Sequence, residues 1–71
     1  MIQITSGTKL IFTGQSVQVE VEQMEDTVNF YVRSNEVSPD KWRTVFSDSM
    51  TMDEVAQLNQ GITSFIQKVT R

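Results

Sequence analysis

Side chains that could act as nucleophiles or general bases are scarce in this sequence. It contains no cysteine and no histidine, so it offers neither a Ser/His nor a Cys/His nucleophile pair. The spacing Ser38-x-x-Lys41 matches a serine/lysine nucleophile motif. Its companion motifs are missing, however, and Pro39 marks the segment as a turn. We therefore expect a protein that is not an enzyme.

Cofactor and metal sites are equally hard to find. The carboxylate pairs Glu25-Asp26 and Asp53-Glu54 suit a hairpin tip and the first turn of a helix, where acids favour the helix dipole. The three glycines are isolated, so no phosphate-binding loop is present. Without histidine or cysteine, a metal would have to be held by oxygen ligands alone. We expect no cofactor and no metal site.

Polar residues on the predicted strands offer a candidate binding surface. An aromatic residue and three cations are placed there, namely Tyr31, Arg33, Lys41 and Arg43. In one interpretation Tyr31 stacks on a base while the cations follow the phosphates of single-stranded nucleic acid or a nucleotide. In the other, the cations pair with Glu20 and Glu22 of a neighbouring strand. We favour the second, because two carboxylates on this face would repel a phosphate backbone.

The outer face of the predicted helix is a second candidate surface. It is polar but nearly uncharged, and its glutamines are Gln57, Gln60 and Gln67. Glutamine is easier to desolvate than lysine or glutamate, so such a face can be buried against a protein partner. An ordinary solvated face is the alternative.

Alternating apolar and polar residues predict the strands that carry the first surface. The alternation is unbroken over residues 17–22, and it resumes over residues 28–33 after a polar turn. These segments predict an antiparallel hairpin with its apolar faces aligned. Shorter strands are predicted at residues 2–5, before a turn at residues 6–8, and at residues 9–13.

The last predicted strand covers residues 41–47, after the turn around Pro39. A two-residue period would place Trp42, Thr44 and Phe46 on one face, and Lys41, Arg43 and Val45 on the other.

A C-terminal helix is predicted to begin at Thr51. Thr51 and Glu54 have the spacing of a capping box, with Met50 and Val55 placed as a hydrophobic staple. One apolar stripe follows at helical spacing, consisting of Val55, Leu58, Ile62, Phe65, Ile66 and Val69. Gly61 lies on its flank, where either a close backbone approach or a mild kink would account for it. We expect Ile62 and Phe65 to anchor the core against the hairpin.

Together these elements predict a single α+β domain over all 71 residues. It consists of an antiparallel sheet of four to five strands and one C-terminal amphipathic helix packed on one face. Such a sheet is about 20 to 25 Å wide, whereas a helix covers only about 10 Å of it. A second copy of the chain would cover the remainder, and a strongly curled sheet is the alternative. We favour a homodimer or small oligomer.

The element order is loosely similar to small single-strand-binding domains of the positive-cofactor-four kind, which dimerise through the helix. The similarity covers the shape of residues 17–69 and rests on no specific motif. The basic strand residues that this group would require are mostly missing here. The order alone does not identify a function.

Net charge and hydropathy restrict the partners and the cellular location that we expect for this chain. The formal charge of −3 is too weak to mimic nucleic acid, and its sign gives no bulk attraction for a polyanion. No apolar run is long enough to cross a membrane, and the N-terminus lacks the pattern of a signal peptide. We expect a cytoplasmic, non-enzymatic interaction or regulatory module, of a size that suits a phage or mobile-element accessory protein. A module that binds single-stranded nucleic acid or a nucleotide is the alternative.

Overall fold

Five antiparallel strands and one helix form the protein in a computed structural model, which describes residues 1–5 and 7–70. The strands lie side by side in chain order, so every connection within the sheet is a hairpin. They are β1 (Ile2–Thr5), β2 (Lys9–Thr13), β3 (Val17–Met24), β4 (Thr27–Ser34) and β5 (Arg43–Thr51), followed by α1 (Met52–Val69). The predicted α+β class is confirmed. Ser6, part of the predicted turn at residues 6–8, lies outside the described residues.

The central hairpin has the predicted alignment of apolar faces. Val19 pairs with Val32 and Val21 pairs with Phe30 across β3 and β4. Paired residues of antiparallel strands point to the same side, so these four side chains share one face of the sheet. The strands are joined by a turn in which Glu25 has a φ of 55°, in the left-handed region.

The fifth strand differs from its prediction in both bounds and phase. It begins at Arg43 and continues to Thr51 instead of covering residues 41–47. A bulge shifts the register, so that Thr44 pairs with Arg33 while Phe46 pairs with Val32. Thr44 and Phe46 therefore lie on opposite faces, and the prediction that they share one is wrong. Val45 is the additional residue that interrupts the two-residue period.

The start of the helix agrees with its sequence signal. The Glu54 backbone N–H donates to the Thr51 hydroxyl at 3.2 Å, and the Thr51 N–H donates to the Glu54 carboxylate at 3.0 Å. This reciprocal pair is the predicted capping box. Because Thr51 is also the last residue of β5, the strand passes into the helix without a loop.

The N-terminal end of the helix lies beside the sheet. Met52 and Val55 line a hollow together with Leu10, Val21 and Val28 of the sheet. Farther along the helix, Ile62 is 49% exposed and Phe65 is 64% exposed. The prediction that these two residues anchor the core is therefore wrong for the single chain. With no loop after β5, the capped first turn sets the direction of the helix, and that direction carries its later turns away from the hairpin.

Candidate interaction surfaces

The apolar stripe of the helix is the first surface that lacks a partner within the described residues. Beyond the half-buried Val55, every member of the stripe is exposed. We call these residues the helix stripe: Leu58, Ile62, Phe65, Ile66 and Val69. A helix of a globular protein usually buries such a stripe against a neighbouring element. In this chain most of its apolar area faces outward.

An open groove lies between the helix and the end of β5. It has a volume of about 530 Å³, and Met50, Leu58, Ile62 and Phe65 supply its apolar lining. Gly61 also lines the groove. A Cβ built on Gly61 would meet no heavy atom within 4 Å. Packing among the described residues therefore does not require glycine at this position.

One face of the sheet forms a second apolar surface, which we call the apolar sheet face. Its centre is formed by the hairpin pairs, and Val28 is the only buried side chain among the described residues, at 4% exposure. It becomes exposed toward the two edges, at Ile2, Ile4, Phe12 and Phe46, and at Val17, where the central strand begins. The surface thus extends beyond the area that the first helical turn covers.

The opposite face, which we call the polar sheet face, has a cluster of ion pairs. The Arg33 guanidinium lies 3.0 Å from the Glu20 carboxylate, which also lies 3.7 Å from the Lys9 ammonium. Lys9 reaches Glu22 at 3.6 Å, and Arg33 donates a hydrogen bond to Gln18 at 3.3 Å. The Glu20 side chain retains 14% exposure. These contacts engage both cations with acids of the same face.

The structure brings together two of the four residues predicted on this face. The Arg33 guanidinium carbon lies 5.8 Å from the centre of the Tyr31 ring, within the range of a cation–π contact. Arg43 pairs with Ser34, whose side chain shares the side of Val32. The prediction that Arg43 faces the same way as Tyr31 is therefore wrong, because the bulge changes the phase of β5. Lys41 precedes β5, and its N–H donates to the Ser38 carbonyl at 2.9 Å.

The glutamines of the predicted partner surface lie on the helix. Gln57, Gln60 and Gln67 are all exposed. Gln57 borders the open groove beside Leu58 and Gly61. Gln57 therefore flanks the exposed apolar stripe, whereas Gln60 and Gln67 lie on the opposite side of the helix by their spacing.

Asp48 was not recognised from the sequence as a surface residue of interest. It pairs with Phe30, which places a carboxylate on the apolar sheet face between Phe46 and Met50. Its Oδ1 accepts a hydrogen bond of 2.8 Å from the Ser49 N–H. Counting back in steps of two from Met50 would have indicated this placement. Counting forward from residue 41 could not, since the bulge intervenes.

Comparison with protein-family models, with curated proteins and with solved structures gave no match for this chain. Within the described residues, no helix has the length and apolar character that crossing a membrane requires. The same residues contain no group of three or more acidic side chains placed to hold a metal ion. The function is therefore inferred from the exposed surfaces and their contacts.

Proposed function

We propose that this protein is a non-enzymatic interaction module that acts by binding, as a homodimer or small oligomer. The observation that carries the proposal is the contrast between Val28, the one buried side chain in the described part of the chain, and a helix stripe that is exposed along most of its length. Both the helix stripe and the apolar sheet face would be buried by association.

The energetic reason lies in the size of the chain. A domain of 71 residues has a small core, and such domains usually need a disulfide, a metal or a partner for stability. Cysteine and histidine are absent from the sequence, which removes the disulfide and the usual zinc ligands. Burying a large apolar side chain contributes roughly 1.5 to 3 kcal/mol. The five residues of the helix stripe therefore provide a substantial driving force for association.

A second copy of the chain is the simplest partner because one chain carries both complementary surfaces. A two-fold pair presents the same patch of each copy to the other, so each exposed apolar area gains a matching cover. Gln57, which borders the open groove, suits the rim of such an interface, since its amide can remain hydrated or pair across it.

The alternative of nucleic-acid binding is less well supported by the polar sheet face. Tyr31 and Arg33 lie together there, as a base-stacking site requires. Arg33 and Lys9 are engaged by Glu20, so a phosphate would have to compete with a carboxylate already in place. Glu22 adds further negative charge beside Lys9. The proposal therefore places binding on the apolar surfaces.

Light scattering and sedimentation equilibrium would test self-association directly. We expect the wild-type protein to have a mass of at least two subunits at micromolar concentration, and a thermal midpoint that rises with protein concentration. Phe65→Glu places a charge in the helix stripe and should yield monomers. Gln67→Glu adds the same charge to the polar side of the helix and should leave the mass unchanged.

Two results would contradict the proposal. One is a wild-type protein that has the mass of a single subunit and a thermal midpoint independent of concentration. The other is an oligomer that Phe65→Glu and Gln67→Glu affect equally, because the helix stripe would then have no special role. Circular dichroism of each variant establishes whether a change in mass accompanies a loss of fold.

A further inference from the structure

The outer edge of β5 offers a specific route for joining two copies. β5 is an edge strand of nine residues, and all of them except Met50 are exposed. The other edge strand, β1, has four residues. β5 contains neither proline nor lysine, two residues that commonly protect an edge against pairing. The strand has a bulge and charged side chains, which can also discourage pairing, so its exposed backbone is open to a partner strand that matches both features.

Two opposite charges occupy the apolar side of this strand. Arg43 pairs with Ser34, and Asp48 pairs with Phe30, so both side chains project on the side of the apolar sheet face. Neither takes part in any of the ion pairs found among the described residues. A lone charge on an apolar surface is costly to bury unless an opposite charge meets it there.

The bulge is what allows these charges to meet across a two-fold axis. When two β5 strands pair antiparallel about an axis perpendicular to the sheet, the apolar faces of both copies lie on the same side of the joined sheet. In a regular strand, positions 43 and 48 would point to opposite sides because they are an odd number of residues apart. The additional residue at Val45 places them on the same side. An axis between Val45 and Phe46 then sets Arg43 of each copy opposite Asp48 of the other.

We propose that two copies of this chain pair through β5 in this register, forming one continuous ten-stranded sheet with two reciprocal Arg43–Asp48 ion pairs. This inference rests on the proposed function, for which it names the contact and the symmetry. Thr44 of one copy lies opposite Ser47 of the other, so the register also matches two hydroxyl side chains on the polar side.

The position of the helix agrees with this arrangement. Met52 and Val55 line a hollow on the apolar side of the sheet, and each helix begins where β5 ends. The two-fold axis keeps both helices on the same side of the joined sheet, where their stripes can face one another. Gly61 lies at the middle of Met52–Val69, beside the open groove and with space where a Cβ would be. A close crossing of two helices gives a use for this glycine that a single chain does not.

Reciprocal charge reversal tests the register. Asp48→Arg and Arg43→Asp each remove both ion pairs and create two like-charge contacts, so each should weaken the dimer at least about 10-fold. The double variant exchanges the charges and should restore the dissociation constant to within about threefold of wild type. Lys41→Asp makes the same charge change as Arg43→Asp just before β5, and it should have little effect. Sedimentation velocity at several concentrations measures all four variants.

Each other outcome overturns a distinct claim. A dimer that none of the reversals weakens is joined through another surface, which overturns the β5 register while the proposed function stands. Weakening without recovery in the double variant also overturns the register. If the single reversals tighten association, the bulge and Asp48 act as a block to edge pairing. A wild-type monomer overturns the proposed function together with this inference.

Discussion

The polar sheet face and the helix stripe differ in how many of their side chains find partners within one chain. On the polar sheet face, Glu20 meets both Arg33 and Lys9, and no buried side-chain polar atom among the described residues lacks a hydrogen-bond partner. On the helix, Phe65 and its neighbours remain exposed. One chain thus meets its polar requirements but leaves much of its apolar surface uncovered. The comparison indicates that a partner would gain most on the apolar side.

The largest expected effect comes from Phe65→Ala. If the helix stripe is buried between copies, losing the ring should cost roughly 3 to 5 kcal/mol of the stability measured on the associated protein. The same substitution in a dissociated chain should cost little, because Phe65 is largely exposed there. The effect should therefore depend strongly on protein concentration.

Chemical denaturation of wild type and Phe65→Ala across a roughly hundredfold range of protein concentration measures this difference. If the free energies of unfolding of the two proteins differ by the same amount at every concentration, the helix stripe is no more dependent on a partner than the polar sheet face. That result would mean that Phe65 is packed within its own chain.

A smaller effect is expected at Val28, the buried residue of the apolar sheet face. Val28→Ala should lower the free energy of unfolding by about 2 kcal/mol, since the removed methyl groups leave a space among packed neighbours. Val28 is buried within the chain itself, so this loss should not change with protein concentration. Val37→Ala is a suitable control, because Val37 is 77% exposed. Equal effects from the two substitutions would show that the sheet has no core at Val28.

The local elements could be read from the sequence because short-range patterns determine them. The alternation over residues 17–22 and 28–33 specified the central hairpin and its faces, and the Thr51–Glu54 pair specified the helix start. Both β1 and β2 have their predicted bounds. Each of these signals lies within a few consecutive residues, where side-chain spacing and backbone geometry are tightly coupled.

The β5 bulge, the direction of the helix and the partner of its apolar stripe could not be predicted from such short patterns. Val45 has no glycine or proline beside it that would indicate a bulge. The bulge nevertheless changes the face of the sheet on which Thr44 and Arg43 lie. The direction of the helix depends on the direct junction at Thr51. An apolar stripe indicates that a surface will be buried, but its periodicity is the same whether the cover is its own sheet or a second chain.

The junction between β5 and α1 depends on the Thr51 cap. Thr51→Ala removes the hydroxyl that accepts the Glu54 N–H at 3.2 Å, and should cost about 1 kcal/mol of helix stability. Thr51→Ser retains an accepting hydroxyl and should behave nearly as wild type. Because the cap also sets how the helix leaves β5, we expect Thr51→Ala to weaken self-association, as measured by sedimentation. Normal association with an unchanged unfolding midpoint would show that the cap does not position the helix stripe.

The smallest effect is expected on the polar sheet face. Its cations are already paired with Glu20 and Glu22, so the wild-type protein should leave short labelled DNA and RNA strands unbound at about 10 μM and physiological salt. Replacing both acids with glutamine keeps their size and releases Lys9 and Arg33. That variant should bind weakly, with an affinity that falls as salt rises.

Fluorescence anisotropy separates a neutralised face from a working site for nucleic acid. In the double glutamine variant, Tyr31→Ala should reduce any binding by removing the ring on which a base could stack. In the wild-type background the same substitution should change nothing, because the carboxylates already hold the cations. Saturable binding by the wild-type protein below about 10 μM, lost in both Tyr31→Ala and Arg33→Ala, would reverse the comparison. The polar sheet face would then be the functional surface, and the apolar surfaces would serve only to assemble it.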